Sequence, residues 1–80
     1  MKVIVVTKTG IGGVTTDVYE YTKKLMKKLI KDEFNWAKKY SSVDNEDEVE
    51  EILEEDEICE AQIIESEYGI HYEVCEVKVS

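Results

Sequence analysis

Residues 10–17, GIGGVTTD, combine residue types that can bind a phosphate. Three glycines fall within four positions, and glycines let backbone N–H groups approach an anion; the N-terminus of a following helix completes such a cradle. The segment lacks the lysine of the Walker pattern and the GxGxxG spacing. Two interpretations stay open. The glycines form a tight turn or helix entry, or they form a nucleotide-phosphate or small-ligand site made of Gly10, Gly12, Gly13, Thr15 and Thr16.

The longer stretch GIGGVTTDVYEYTKKL resembles the first strand–glycine–helix unit of the GT-B glycosyltransferases. In that family such a loop lies near the sugar nucleotide, so the resemblance implies a similar position for this loop. It covers less than a third of the chain, and the donor-binding domain of the family has no counterpart in 80 residues. We therefore expect no glycosyltransferase activity.

Residues 44–60 carry eleven carboxylates and no basic residue. A calcium loop would need a glycine after its alternating ligands, and DNEDEV has none. Dense carboxylates can mimic a nucleic-acid backbone and attract a basic protein over long range. We therefore predict a partner-binding region, called the acidic surface below, which consists of Asp44, Glu46, Asp47, Glu48, Glu50, Glu51, Glu54, Glu55, Asp56 and Glu57.

A basic segment precedes the acidic one, and the two could instead neutralise each other. Its lysines are Lys23, Lys24, Lys27, Lys28, Lys31, Lys38 and Lys39. Direct binding of nucleic acid by these lysines is not expected, because the net charge is −9 and the chain has no arginine.

His71 and Glu73 lie two residues apart, on one face of a predicted strand, as a general base and an orienting carboxylate could. No nucleophile is tied to them by the sequence, although Cys75 would share their face. We predict no catalytic residue and no enzymatic activity. Cys59 and Cys75 match no metal-binding spacing, so neither a metal nor a cofactor is predicted.

The elements that position these residues begin with KVIVV, a buried strand predicted to be central in its sheet. After the glycines, Asp17 and Glu20 have capping-box spacing, so the preferred interpretation starts a long helix at Asp17. The alternative treats VTTDVYEY as a second strand, because threonine, valine and tyrosine favour strands.

This helix carries apolar residues three, four or seven positions apart. They are Val18, Tyr21, Leu25, Leu29, Trp36 and Tyr40, and Met26, Ile30 and Ala37 widen the stripe. The stripe is wider than a small sheet can cover. We therefore predict a homodimer whose interface contains Leu25, Leu29, Trp36 and Tyr40.

The acidic segment is predicted to form a short helix, whose narrow apolar stripe consists of Val49, Ile52 and Leu53. A C-terminal β-hairpin with the turn SEYG is predicted to follow. With a left-handed Gly69, Ala61 faces Cys75 and Cys59 faces Val77. One face then carries Cys59, Ala61, Ile63, Cys75, Val77 and Val79, and the other Ile64, Ile70, Tyr72 and Val74. The cysteines are expected either as buried, reduced thiols under a helix or, after a register shift, as a disulfide.

The sequence thus predicts a single α+β domain over residues 1–80. It has two layers in the order β-α-α-β-β, with ββαββ as the runner-up. No apolar run is long enough to span a bilayer and no signal peptide is visible, which indicates the cytoplasm of a cell or of an infected host. The predicted function is protein binding, for example as a virus- or plasmid-encoded DNA mimic that inhibits a nucleic-acid-binding host factor. A ligand-binding loop and a structural oligomerising module are the alternatives.

Overall fold

Six elements follow one another in the computed structural model, which describes residues 1–78. They are β1 (Lys2–Gly10), β2 (Gly13–Glu20), α1 (Lys23–Tyr40), α2 (Glu46–Leu53), β3 (Glu60–Glu65) and β4 (Tyr68–Glu76). The strands form one antiparallel sheet in the order β2-β1-β4-β3. The α+β class, the long and short helices and the C-terminal hairpin are confirmed, as is the central position of the first strand.

The segment after the glycines is a strand and not the start of a helix, so the predicted helix start at Asp17 is wrong. Gly10 pairs with Gly13 around a turn at Ile11 and Gly12, and Gly13 has a φ of 123°, which favours glycine. Strand-favouring residues then pair with β1 along the whole of β2. The element order is therefore ββααββ, which joins the N-terminal hairpin of the runner-up to the two helices of the preferred order.

Helix α1 begins at Lys23 because Thr22 caps it. The backbone of Thr22 is extended, and its hydroxyl oxygen accepts a hydrogen bond of 3.0 Å from the Leu25 amide. A threonine oxygen at this position satisfies one of the amides that the first helical turn leaves without a partner. Asp17, the predicted cap, instead pairs with Val6 across the sheet.

The core lies between one face of the sheet and the two helices. Inward positions alternate along the strands, as the two-residue period of a strand requires, and α1 contributes residues three or four apart. Burying each large apolar side chain contributes about 1.5–3 kcal/mol to folding. The members with the least exposure are Ile4, Met26, Ile30, Ile63 and Val49.

The buried stripe of α1 is displaced from the predicted one. Met26, Ile30, Phe34 and Ala37 form it, whereas Leu25 and Leu29 are partly buried at its margin. The other two residues of the predicted dimer interface, Trp36 and Tyr40, are exposed, and their ring centroids lie 5.7 Å apart. The prediction was displaced because it counted Val18 and Tyr21, which do not belong to the helix.

The register of the C-terminal hairpin also differs from the prediction. Glu65 pairs with Tyr68 around a two-residue turn, so Ala61 faces Tyr72 and not Cys75, and the positive φ expected at Gly69 does not occur. The predicted division of faces is wrong, since Ala61 and Ile63 of β3 lie on the same inward face as Ile70 and Tyr72 of β4. Val79 lies outside the described residues.

Both cysteines are free, and neither is fully buried: Cys59 is exposed and Cys75 half-buried. The Val74 amide donates to the Cys59 carbonyl at 2.9 Å, whereas Cys75 pairs with Val3 on β1. Directly opposed residues share a face, so this register places the two cysteines on opposite faces of the sheet. The expected burial under a helix is therefore wrong, and the geometry for a bridge between them is absent from the structure.

Candidate functional site

The acidic surface is presented by α2 and the turn that follows it. Helix α2 buries Val49 against the core and half-buries Ile52 and Leu53. All ten carboxylates of the acidic surface are exposed. Three of them, Glu46, Asp47 and Glu48, occupy the first turn of α2, where the positive end of the helix dipole favours negative charge.

Asn45 attaches this surface to the sheet. Its side-chain amide nitrogen donates to the Gln62 carbonyl at 2.8 Å, and its side-chain oxygen accepts from the Ile64 amide at 2.9 Å. The Asp44 amide donates to the Ile64 carbonyl at 2.7 Å, and Val43 forms a bridge with Glu65. The segment 43–45 therefore occupies the outer edge of β3 from Gln62 to Glu65. Asn45 was not identified from the sequence, where its signal is an amide isolated within a run of carboxylates.

The lysines of α1 neutralise little of the acidic surface. Within residues 1–78, the only ion pair of the acidic surface joins Asp56 to Lys23 at 3.6 Å, with an almost fully exposed carboxylate. Exposed pairs of this kind contribute little to stability, because water and salt screen them. Lys28 pairs instead with Asp32 on its own helix.

A strand and not a helix follows the glycine segment, so the glycines form the tight turn that was one of the two interpretations, and no helix N-terminus lies beside them. Gly10, Gly12, Gly13, Thr15 and Thr16 lie in the N-terminal hairpin, and α1 begins only after the far end of β2. The strand–glycine–helix unit, and with it the basis of the GT-B resemblance, is absent from this segment. Gly10 has another role: a Cβ there would overlap Cδ1 of Tyr68, so glycine lets the tyrosine ring pack against the strand.

His71 is engaged by a surface contact. Its Nε2 lies 3.3 Å from Oε1 of Glu60 on the neighbouring strand, and both side chains are partly exposed. Glu73, its predicted partner, pairs in register with Glu60. In register His71 pairs with Thr7 and Gln62, so it belongs to a polar row across the sheet.

A groove that the sequence analysis did not identify lies where α1 crosses the sheet. A cavity of about 400 Å³ is lined by Lys8, Glu33, Trp36, Glu65, Tyr68 and Ile70. A neighbouring hollow of about 250 Å³ is also lined by Lys8, Glu33 and Trp36, and it extends to Asp17 and Tyr19 on β2. We call the first cavity the aromatic groove. Glu33 and Trp36 reach it together because they are three residues apart on the helix.

Glu65 is the unusual member of the groove. It occupies an inward position of β3 and is only 5% exposed, the one buried charged residue in the described part of the chain. Burial raises the pKa of its carboxyl, nearby Glu33 raises it further, and Lys8 acts in the opposite direction. The Lys8 Nζ lies 3.9 Å from Oε1 of Glu33. Burial together with both carboxylates also raises the pKa of the Tyr72 hydroxyl.

A signal for the groove was present in the sequence. In EAQIIE the inward residues are Ala61, Ile63 and Glu65, so the alternation places a carboxylate where an apolar side chain is expected. The groove could not be predicted from this signal alone, because only the tertiary fold brings Lys8, Glu33 and Glu65 together.

No protein-family model, no curated protein and no solved structure matches this chain. Within residues 1–78, no helix combines the length and the apolar character needed to cross a membrane. The same residues contain no group of three or more histidine, cysteine, aspartate or glutamate side chains arranged to hold a metal ion.

Proposed function

We propose that this chain is a non-enzymatic module that binds a basic protein through the acidic surface. The observation that carries the proposal is the exposure of all ten carboxylates, only one of which has an ion-pair partner in the described chain. Their negative field is left for another molecule to neutralise. Such a field accelerates encounter with a positively charged partner, and salt weakens it.

The form of the function that we propose is inhibition of a nucleic-acid-binding protein. Carboxylates carried on a short helix and its following turn would take the place of phosphates in the partner's basic site. A virus or plasmid that must disable such a factor in the cytoplasm of its host would have use for a module of this kind. The net charge of −9 supports a protein partner over a nucleic acid, since the chain and a phosphate backbone repel each other.

Charge reversal tests the proposal. The change of Glu50, Glu54 and Glu57 to lysine alters the acidic surface at exposed positions that form no ion pair in residues 1–78. We expect the purified wild-type chain to capture a partner from a host lysate at low salt and to release it at high salt. The triple variant should capture none while keeping its circular dichroism spectrum.

A matched control changes the same number of charges elsewhere. Glu20, Glu67 and Glu73 are exposed and lie outside the acidic surface. Their reversal to lysine should leave capture intact. Duplex DNA should compete with the wild-type chain for the captured protein, because both occupy one basic site. Equal loss of capture in both triple variants, or capture insensitive to salt, would contradict the proposal.

We propose a homodimer as a second candidate, on a separate observation. Strand β2 has β1 on one side and no strand on the other within the described chain, and every residue of β2 is exposed. An uncovered edge of this kind can pair with a second strand. This interface differs from the one predicted on α1, where Leu25 and Leu29 pack against the core of their own chain.

Light scattering tests the dimer. We expect Val18→Glu, on β2, to shift the chain towards monomer, because the introduced charge lies on the pairing strand. Ile11→Glu is the control, since Ile11 is exposed at the hairpin turn and outside the strand. A wild-type chain that is monomeric at high micromolar concentration would rule out this assembly.

A further inference from the structure

We propose that the aromatic groove binds an organic cation, an alkylammonium or guanidinium group, between the Trp36 and Tyr68 rings and the carboxylates of Glu33 and Glu65. The groove is distinct from the acidic surface, so this inference does not depend on the function proposed above.

The charge balance of the groove favours a cation. Two carboxylates line it, and Lys8 is its only basic residue. Lys8 lies on the Glu33 side, 3.9 Å from that carboxylate. Glu65 shares a hydrogen bond with the Glu33 carboxyl, which helps to raise its pKa, but it has no cationic partner within 4.0 Å among the described residues, although a buried carboxylate ordinarily has one. An ammonium that enters beside Glu65 would supply this partner while Lys8 stays with Glu33.

The walls of the groove suit an organic cation. Trp36 and Tyr68 are each 53% exposed, although both rings are large and apolar. Aromatic faces attract ammonium and guanidinium groups, and tryptophan does so most strongly. Two other rings of α1 already have such a partner: Lys38 lies 4.3 Å from the Phe34 centroid, and Lys39 lies 5.2 Å from that of Tyr40. Trp36 has no such lysine among the described residues.

Size and ligand chemistry narrow the choice of cation. A cavity of about 400 Å³ is within the range of small-molecule sites and accepts an alkyl chain with a charged end. A hard metal ion would need about six oxygen ligands, whereas the groove offers two carboxylates and aromatic walls. The alkyl portion would pack on Ile70 and the rings, and the charged end would reach the carboxylates.

Trp36 is the only tryptophan of the chain and reports directly on occupancy. We expect pentylammonium to cause a saturable change in tryptophan emission, and pentanol, its neutral counterpart, to cause none at the same concentration. Amide resonances of Glu65 and Tyr68 should shift at the same ligand concentrations. An equal response to pentanol would overturn the proposal, since it would show an apolar hollow with no preference for charge.

Isosteric variants test the role of the carboxylates. Glu65→Gln should weaken pentylammonium binding about tenfold or more, the expected loss for one charged hydrogen bond. Glu20→Gln, an exposed change outside both the groove and the acidic surface, should bind as the wild type does. If Glu65→Gln fails to fold, Glu33→Gln provides the same comparison at a half-buried position. Wild-type affinity in the folded variant would overturn the proposal.

Two sources could supply the cation, and a second titration distinguishes them. Spermidine represents a free amine, and N-acetyl-lysine methylamide and N-acetyl-arginine methylamide represent side chains of a protein. Tighter binding of spermidine would assign the groove to a small molecule, and tighter binding of either amino-acid derivative would assign it to a basic side chain. The Glu50, Glu54 and Glu57 reversal should leave all three affinities unchanged, which separates a failure here from a failure of the protein-binding proposal.

Discussion

The contact between Gly10 and Tyr68 joins the N-terminal hairpin to the wall of the aromatic groove. The tyrosine ring lies where the Cβ of any other residue at position 10 would be. The ring is half exposed, so it can move away from an added methyl group, but it would then leave both the strand and the groove. Position 10 therefore influences the groove although it lies at the end of β1 and does not line the groove.

We predict that Gly10→Ala lowers the midpoint of thermal unfolding and weakens pentylammonium binding. The expected loss of stability is about 1–3 kcal/mol, as is usual when an atom is forced into an occupied position. Gly12→Ala is the matched control, because no atom lies within 4 Å of its Cβ position and its φ is not positive. It should be neutral or slightly stabilising, since alanine restricts the unfolded chain. Equal melting temperatures would contradict the close contact.

Glu65 makes the stability of the chain depend on pH. Its folded pKa is raised, so the folded protein keeps this proton to a higher pH than the unfolded chain does. The free energy of unfolding therefore falls as the pH rises from the ordinary carboxyl pKa through the raised one. Glu76 contributes the opposite slope, because the N-terminal ammonium lowers its pKa.

We predict that Glu65→Gln stabilises the chain at about pH 7 relative to the wild type, and that the difference shrinks towards about pH 4. Glutamine removes the buried ionisation, and Glu76 is present in both proteins. Urea unfolding at several pH values measures the effect, with Glu57→Gln as an exposed control. A variant less stable than the wild type at pH 7 would show that Glu65 is ionised and favourably paired in the folded state.

Elements with one strong local pattern were predicted correctly from the sequence. Segments whose residues fit two patterns, between which only tertiary contacts decide, were not. The strand KVIVV, the long helix and the C-terminal hairpin each have one dominant periodicity. Residues 14–21 satisfy both a capping box and a strand pattern, and pairing with β1 decides between them. The register of β3 and β4 depends on the turn, and Ser66–Glu67 was not distinguished from a longer turn that includes Gly69.

We predict that Thr22→Ala costs about 1 kcal/mol of stability, because it removes the hydroxyl that accepts from the Leu25 amide. Asp17→Ala should cost much less, since Asp17 is exposed on an edge strand and caps no helix. Chemical denaturation of the two variants compares the observed and the predicted starts of α1. A larger loss for Asp17→Ala than for Thr22→Ala would indicate that the helix begins at Asp17 after all.

At the scale of the whole molecule, charge opposes folding. The chain carries a net charge of −9, and the acidic surface has one weak ion pair in the described residues. Repulsion within a compact molecule of high net charge disfavours the folded state.

The assembly of the aromatic groove also depends on the whole molecule, since its residues come from β1, α1, β3 and β4. Local patterns could not have predicted it.

We predict that the melting temperature rises with sodium chloride, because salt screens this repulsion. The Glu50, Glu54 and Glu57 reversal should melt higher than the wild type at low salt and should respond less to added salt. Calorimetry from about 10 mM to about 500 mM salt measures both effects over a range in which the Debye length shortens severalfold. A melting temperature that falls with salt would indicate that ion pairs, and not repulsion, dominate the charge balance.

The two edges of the sheet are unequal, and this sets a limit on how copies of the chain can assemble. Asn45 and its neighbours occupy the outer edge of β3 from Gln62 to Glu65, so among residues 1–78 β2 is the strand whose whole outer edge is open. When two copies join through β2, each uses its fully open edge, and only the short start of β3 is left uncovered for a third. We therefore expect assembly through the sheet to stop at a closed pair. The segment 43–45, placed beside the last residues of β3, would then favour a finite oligomer over a fibre.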